Sequence, residues 1–354
     1  MSRFLSSRFA SLEAYTPGEQ PQDMQYIKLN TNESPFPPSP EVIQAVTAAE
    51  VSKLNLYPDP ECKSLRKKLA ALYEVGEENV FLSNGSDDIL NFAFMAFCDQ
   101  SRPVAFPAIS YGFYPVYANL HQIPFTAIPL REDFRLEPED YCGIGKNIVI
   151  ANPNAPTGRT ISVAEIEKIL CSNEDHVVLI DEAYIDFGGE SCYRLIDRYE
   201  NLLVCQTFSK SRSLAGGRLG FALGSKALIE DLNKIKYSTN PYNINRLTMI
   251  AAEAAVDSND YYMANCRTIA ENRAYTVEKL AELDFETIPS AANFIFTRHK
   301  AIKGNTLYSS LKSKGILVRH WTKPDIENYI RVTIGSREQM DAFLEKIREI
   351  LKEG

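Results

Sequence analysis

Short apolar runs recur along the chain at "VFLS" (80–83), "PVAF" (103–106), "NIVIAN" (147–152), "VVLID" (177–181), "LLVCQTF" (202–208) and "GFALG" (220–224). Between several of them lie helix-like segments, "DDILNFAFMAF" (87–97), "YGFYPVYANL" (111–120) and "VAEIEKIL" (163–170). Short apolar strands separated by helices predict an α/β unit whose mainly parallel central sheet is covered on both faces. After "STNPYNINR" the pattern changes. Residues 246–283 read as long helix, broken near Asp257–Asp260, followed by "FETIPSAANFIFTRH", "NTLYSSLKSKG", "ILVRHW" and "NYIRVTIGS". The amphipathic "REQMDAFLEKIREILKE" closes this smaller α+β module. The proline-rich "NESPFPPSPE" (32–41) must be extended or turn-like, and it sets off an N-terminal arm. The expected division is an arm over 1–31, a large domain over 32–245 and a small C-terminal domain over 246–354.

Composition narrows the function classes. The chain has 354 residues, 45% of them apolar, 24% charged and 10% aromatic, as in soluble globular proteins. A net charge of −8 disfavours nucleic acid or an anionic membrane as partner, though it leaves room for a basic pocket. The seven cysteines are odd in number, scattered and without C-x-x-C, the usage of a reduced, cytoplasmic chain. The four histidines lie far apart with no H-E-x-x-H spacing, so no metal is expected. The opening "MSRFLSSRFASLEAY" has no uninterrupted apolar core, and no apolar run reaches membrane-spanning length.

In an open parallel sheet, ligands sit at the carboxyl ends of strands, and chemistry-bearing residues follow the predicted strands. After "VFLS" comes "NGSDD", where Ser86 or Asp87 can cap a helix whose free N–H groups and dipole suit a phosphate. After "PVAF" comes Tyr111, an aromatic that can stack on a planar ring or simply fill the core. After "NIVIAN" comes "PNAPTG", a tight turn whose Asn154 amide can donate to a ligand. Asp181 ends a run of buried character, where a carboxylate needs a partner: a protonated heterocyclic nitrogen, a cap or a salt bridge. Lys210 follows "LLVCQTF"; it is either a solvated surface lysine or an amine that forms a Schiff base with a carbonyl compound. Each feature has a plain structural alternative. Together they offer a phosphate cradle, a stacking ring, an amide donor, a carboxylate and an amine, the set that pyridoxal 5′-phosphate requires.

The sequence resembles the fold-type I, pyridoxal-phosphate-dependent aminotransferases of class II, and within them the histidinol-phosphate aminotransferases. "AYTPGEQP", "LNTNESPFPPSP", "LYPDP", "GSDD", "SYGFY", "NPNAPTG", "DEAY", "TFSK", "GGRLG", "PYNIN", "SAANF", "LVRHW" and "YIRVTIGSRE" carry the likeness over nearly the whole chain. The resemblance implies that Lys210 carries the cofactor aldehyde, that Asp181 pairs with the ring nitrogen and that Tyr184 bonds the phenolic oxygen. It implies a phosphate cradle of Gly85, Ser86, the Asp87 N–H, Ser209 and Arg218, with Tyr111 stacked on the ring. It places Tyr57 at the neighbouring subunit's cofactor, so that a homodimer shares its sites. Tyr15, Asn30, Arg319 and Arg331 then face small-molecule amine and 2-oxo acid substrates. Many relatives have asparagine where this chain has Ala155, which leaves Asn154 as the candidate for the phenolic oxygen. The implied activity is transamination between histidinol phosphate and 2-oxoglutarate in histidine biosynthesis. An aromatic amino-acid aminotransferase and a threonine-phosphate decarboxylase share the scaffold. A sensor that binds the cofactor without turnover needs a partner domain, and none is visible in the sequence.

Overall fold

The computed structural model describes residues 5–9 and 12–353; residues 1–4, 10 and 11 of the expected arm, and residue 354, lie outside the described residues. The arm carries a two-residue strand, β1 (Ile27–Lys28). Seven strands then build the large sheet: β2 (Val80–Ser83), β3 (Val104–Pro107), β4 (Phe125–Ile128), β5 (Asn147–Ala151), β6 (Val178–Asp181), β7 (Leu202–Thr207) and β8 (Gly220–Gly224). Their spatial order is β2-β8-β7-β6-β5-β3-β4. Neighbours from β4 through β7 are parallel, and β8 is antiparallel to both β7 and β2. Two reversals return β2 to the direction of β7, so its carboxyl end lies at the same edge as the others. At that edge it is the start of β8 that arrives, Gly220 standing opposite both Ser83 and Thr207.

The apolar runs lack polar alternation because both faces of the sheet are buried. Along β5, Ile148 and Ile150 join one hydrophobic cluster while Val149 and Ala151 join another. Leu202 and Val204 of β7 likewise oppose Leu203 and Cys205. Each buried valine, leucine or isoleucine side chain contributes about 1.5–3 kcal/mol when withdrawn from water. Helices Lys63–Tyr73 and Val163–Cys171 cover the first face, and Ser86–Phe97, Phe113–His121 and Lys226–Thr239 the second. The break expected near Asp257–Asp260 is present: one helix ends at Asp257 and the next spans Asn259–Ala281. The first of the two, Arg246–Asp257, buries Met249, Ala252, Ala255 and Val256 in the first cluster.

The smaller sheet contains β9 (Phe285–Ile288), β10 (Phe294–His299), β12 (Arg319–His320) and β13 (Ile330–Thr333), antiparallel in the order β12-β13-β10-β9. Strand β11 (Ile316–Leu317) instead pairs in parallel with β1. The Thr333 N–H donates to the Leu29 carbonyl at 2.9 Å, so the arm is stitched to this module and runs on into the cleft between the two sheets. The closing helix Arg337–Glu353 buries Met340, Phe343, Leu344, Ile347 and Ile350, the three- and four-residue spacing its amphipathic pattern predicts.

Candidate active site

The strand ends open on a cavity of about 450 Å³. Its wall includes Lys210, Asp181, Tyr184, Ser86, Asp87, Tyr111, Ser209 and Arg218 from the large sheet's edge. Tyr15, Asn30, Arg319 and Arg331 close it from the arm and the small sheet. Twelve of the residues singled out in the sequence thus meet in one place, and Gly85 adjoins them.

Asp181, the last residue of β6, is 5% exposed. Burial pushes its carboxyl up to about 6, although the Tyr114 hydroxyl at 2.8 Å and the Ala183 N–H at 3.2 Å donate to it. Tyr111, Tyr114 and Tyr117 follow one another at three-residue spacing. Tyr111 donates to the Asp87 carboxylate at 2.8 Å, and Tyr117 to the Asp87 carbonyl at 3.0 Å. The Lys210 amine lies 5.7 Å from the Tyr184 ring centroid and donates to the Thr31 carbonyl at 3.1 Å. Asn32 donates to the Tyr184 hydroxyl at 3.0 Å, leaving that hydroxyl's own proton to point elsewhere.

The helix Ser86–Phe97 starts without a side-chain cap, since Gly85 is its N-cap. Gly85 has φ +86°, a backbone that L side chains rarely adopt. A Cβ on Gly220 would come within 2.5 Å of the Ser86 nitrogen, so only glycine lets β8 pass this close. Arg218 extends to Asp87 at 3.3 Å and to Ser209 at 3.4 Å. Uncapped N–H groups, a hydroxyl and a guanidinium together suit a phosphate. The buried carboxylate and the amine suit a ring nitrogen and an aldehyde, so the residues present fit pyridoxal 5′-phosphate.

Across the cavity Arg331 is half-buried, and desolvation of its guanidinium pulls its pKa below the usual arginine value. It donates to the Asn30 carbonyl at 3.0 Å, while its Nε and the Asn30 Oδ1 have no partner in the protein. Arg319 donates to the carbonyls of Thr16 at 3.0 Å and Pro17 at 3.1 Å. Burial raises the Tyr15 hydroxyl's pKa, and both guanidinia oppose that shift.

Asn154 and Tyr57 are not brought into the cavity. The Asn154 amide donates to Ile109 at 3.0 Å and Thr157 at 2.9 Å; Ala155, its neighbour, lines the wall instead. Tyr57 is 79% exposed, its ring stacked on Tyr242 at 4.6 Å. The sequence reading missed Tyr114, Asn32 and Trp321. Among these only Tyr114 left a signal, its helical spacing from Tyr111. Among the described residues no group of histidine, cysteine, aspartate and glutamate could hold a metal ion, and no helix is long and apolar enough to cross a membrane.

A doubly covered, mainly parallel sheet with a lysine, a buried carboxylate and a helix start suited to a phosphate at its strand ends is the architecture of a fold-type I aminotransferase. The chain belongs to the class I and II aminotransferase family, whose sequence pattern matches residues 24–347. Its relatives narrow the class. A Brachyspira hyodysenteriae protein named histidinol-phosphate aminotransferase is 51% identical over 353 residues, covering 99% of this chain and 100% of that protein. A Clostridium acetobutylicum protein of the same name is 47% identical over 351 residues, covering 99% and 100%. The crystal structure of histidinol-phosphate aminotransferase from Sinorhizobium meliloti in complex with pyridoxal-5′-phosphate shares the fold, with a TM-score of 0.85 at 23% identity over 99% of this chain and 100% of that one.

Proposed function

We propose that this chain is a pyridoxal-phosphate-dependent transaminase that moves the amino group of histidinol phosphate to 2-oxoglutarate, a step of histidine biosynthesis. The observation that carries the proposal is the pairing of the Lys210–Asp181 edge with two arginines inside one cavity. The full-length relatives of that name support it.

When bound, the cofactor supplies an aldehyde for amines and a ring that draws electrons from the adjoining carbon. Lys210 tethers the aldehyde at rest. With the cofactor and substrate bound, the Lys210 Nζ would remove the substrate's α-proton as general base and return a proton as general acid. Asp181 holds a proton on the ring nitrogen, and its burial strengthens that pairing. Tyr184, fixed by Asn32, donates to the phenolic oxygen. Gly85, Ser86, the Asp87 N–H, Ser209 and Arg218 hold the phosphate, and Tyr111 covers the ring. Arg331 binds the substrate's anionic end in both half-reactions; Arg319 and Tyr15 add contacts to the phosphate ester.

The working unit in this proposal is a homodimer. Val51, Leu54, Leu56 and Tyr242 are exposed apolar side chains close in the chain or in space to Tyr57, the expected contributor to the second site. We place the enzyme in the cytoplasm, where its free cysteines stay reduced.

The test is a turnover panel of histidinol phosphate, phenylalanine and threonine phosphate, run beside borohydride trapping. Histidinol phosphate should be transaminated at the highest kcat/KM, without release of CO₂. Borohydride should fix the cofactor on Lys210, and Lys210→Ala should bind cofactor yet lose repeated turnover. Trapping on another lysine, or preference for either rival substrate, overturns the proposal.

A further inference from the structure

Trp321 is the chain's single tryptophan, and it lies in the cavity wall. The Arg319 guanidinium sits 5.7 Å from its ring centroid and the Arg331 guanidinium 5.4 Å. Arg331 also sits 5.3 Å from the Phe294 ring. The indole in turn meets Phe296 at 71°, 6.3 Å between centroids, at the margin of the cluster of Ile109, Phe134, Phe296, Ile326 and Tyr329. One end of the side chain is therefore anchored in apolar packing while the ring is offered to two cations.

Among the described residues, neither arginine forms an ion pair with a carboxylate. Glu19, the carboxylate whose field reaches Arg319, is engaged by Lys312 and Tyr308. Two like charges beside each other ordinarily draw an acidic partner, yet a carboxylate here would neutralise the pair and compete with an incoming anion. An aromatic face attracts a guanidinium through its quadrupole and carries no charge of its own. It orients both arginines and leaves their full charge free.

We propose that Trp321 is a positioning residue that sets the preference for a phosphate ester by holding Arg319 and Arg331 in register without neutralising them. The inference rests on the proposed function. Inorganic phosphate is the probe, and the indole is its own reporter. Added to the cofactor-loaded wild-type enzyme, phosphate should change the tryptophan fluorescence saturably, and Arg319→Ala should raise the half-saturating concentration about tenfold. Trp321→Leu should raise KM for histidinol phosphate, and the inhibition constant of phosphate with it, about ten- to thirtyfold, while kcat falls by less than about threefold. Trp321→Phe, which keeps an aromatic face, should restore most of the loss. A wild-type fluorescence unmoved by phosphate, a Leu variant with unchanged KM, or a Phe variant as impaired as Leu each overturns the role of Trp321. Failure of the wild-type enzyme to transaminate histidinol phosphate overturns the underlying function instead, so the two failures are told apart.

Discussion

Asp181 and Glu182 are consecutive carboxylates, both buried, with separate surroundings. Asp181 meets Tyr114 and the cavity. Glu182 accepts from the Cys192 N–H at 2.8 Å, the Ser191 hydroxyl at 2.5 Å and the Gln206 amide at 2.9 Å. Burial nonetheless pushes Glu182 from the ordinary 4.5 up to about 7. A carboxyl raised in the folded state contributes stability that is fully present below its unfolded pKa and is lost as pH climbs through the folded one. Glu182→Gln stays neutral throughout. Scanning calorimetry of the apoproteins should therefore show wild type losing ground to the variant between about pH 4.5 and pH 7, by at most about 3 kcal/mol. A difference constant across that window would show that Glu182 ionises much as it does in water. At this scale the sequence was informative where one residue follows one apolar run: Ser86, Asp181 and Lys210 needed only the rule that chemistry follows strand ends. Partnerships made by the tertiary fold were not legible. Tyr114 reaches Asp181 across 67 positions and Asn32 reaches Tyr184 across 152; the spacing of Tyr114 from Tyr111 hints at a shared helix face but not at its partner. Asn154 stays out of the cavity because its amide is spent on Thr157 within the turn and on Ile109, 45 positions away.

The element that would organise the proposed cofactor end is the start of the helix Ser86–Phe97, pressed against the start of β8. Gly220→Ala would drive a methyl to 2.5 Å from the Ser86 nitrogen and 2.6 Å from the Gly85 carbonyl carbon, both backbone atoms that cannot swing aside. The variant should lose about 1–3 kcal/mol of stability, and its affinity for pyridoxal phosphate should drop about tenfold as the first-turn N–H groups shift. Gly216→Ala, whose added carbon meets nothing within 4 Å, is the control and should alter stability by less than about 0.5 kcal/mol. Thermal melts and cofactor titration check both; equal behaviour of the two variants would show that the contact does not shape the cradle. The strands of this layer were readable because burial on both faces leaves a continuous apolar run. The edge strand β4 was not, since Phe125, Thr126 and Ala127 are exposed and no buried run marks it. Helices Lys63–Tyr73 and Lys226–Thr239 were passed over because charged residues dilute their apolar stripes.

At the scale of the whole molecule, the exposed Tyr57 and the enclosed Lys210 belong to different parts of the surface, and the proposed dimer is what would bring them together. Tyr57→Phe and Lys210→Ala subunits, mixed to form heterodimers, should regain activity above the sum of the two parents, since one site in each heterodimer would carry neither change. Verified heterodimers without recovery would show that Tyr57 does not act across subunits. The arm has a different consequence, one of timing. The Asn30 carbonyl that holds Arg331 lies 301 positions before it, and β1 finds its partner only in β11. A ribosome adding about 5–20 residues per second needs about 15–60 s to cover that distance. The first wall of the cavity to be synthesised is thus among the last to be set. Through that interval Ile27 and Leu29 must wait in water for strands not yet made, and the nascent chain owns a sheet edge before it owns an active site.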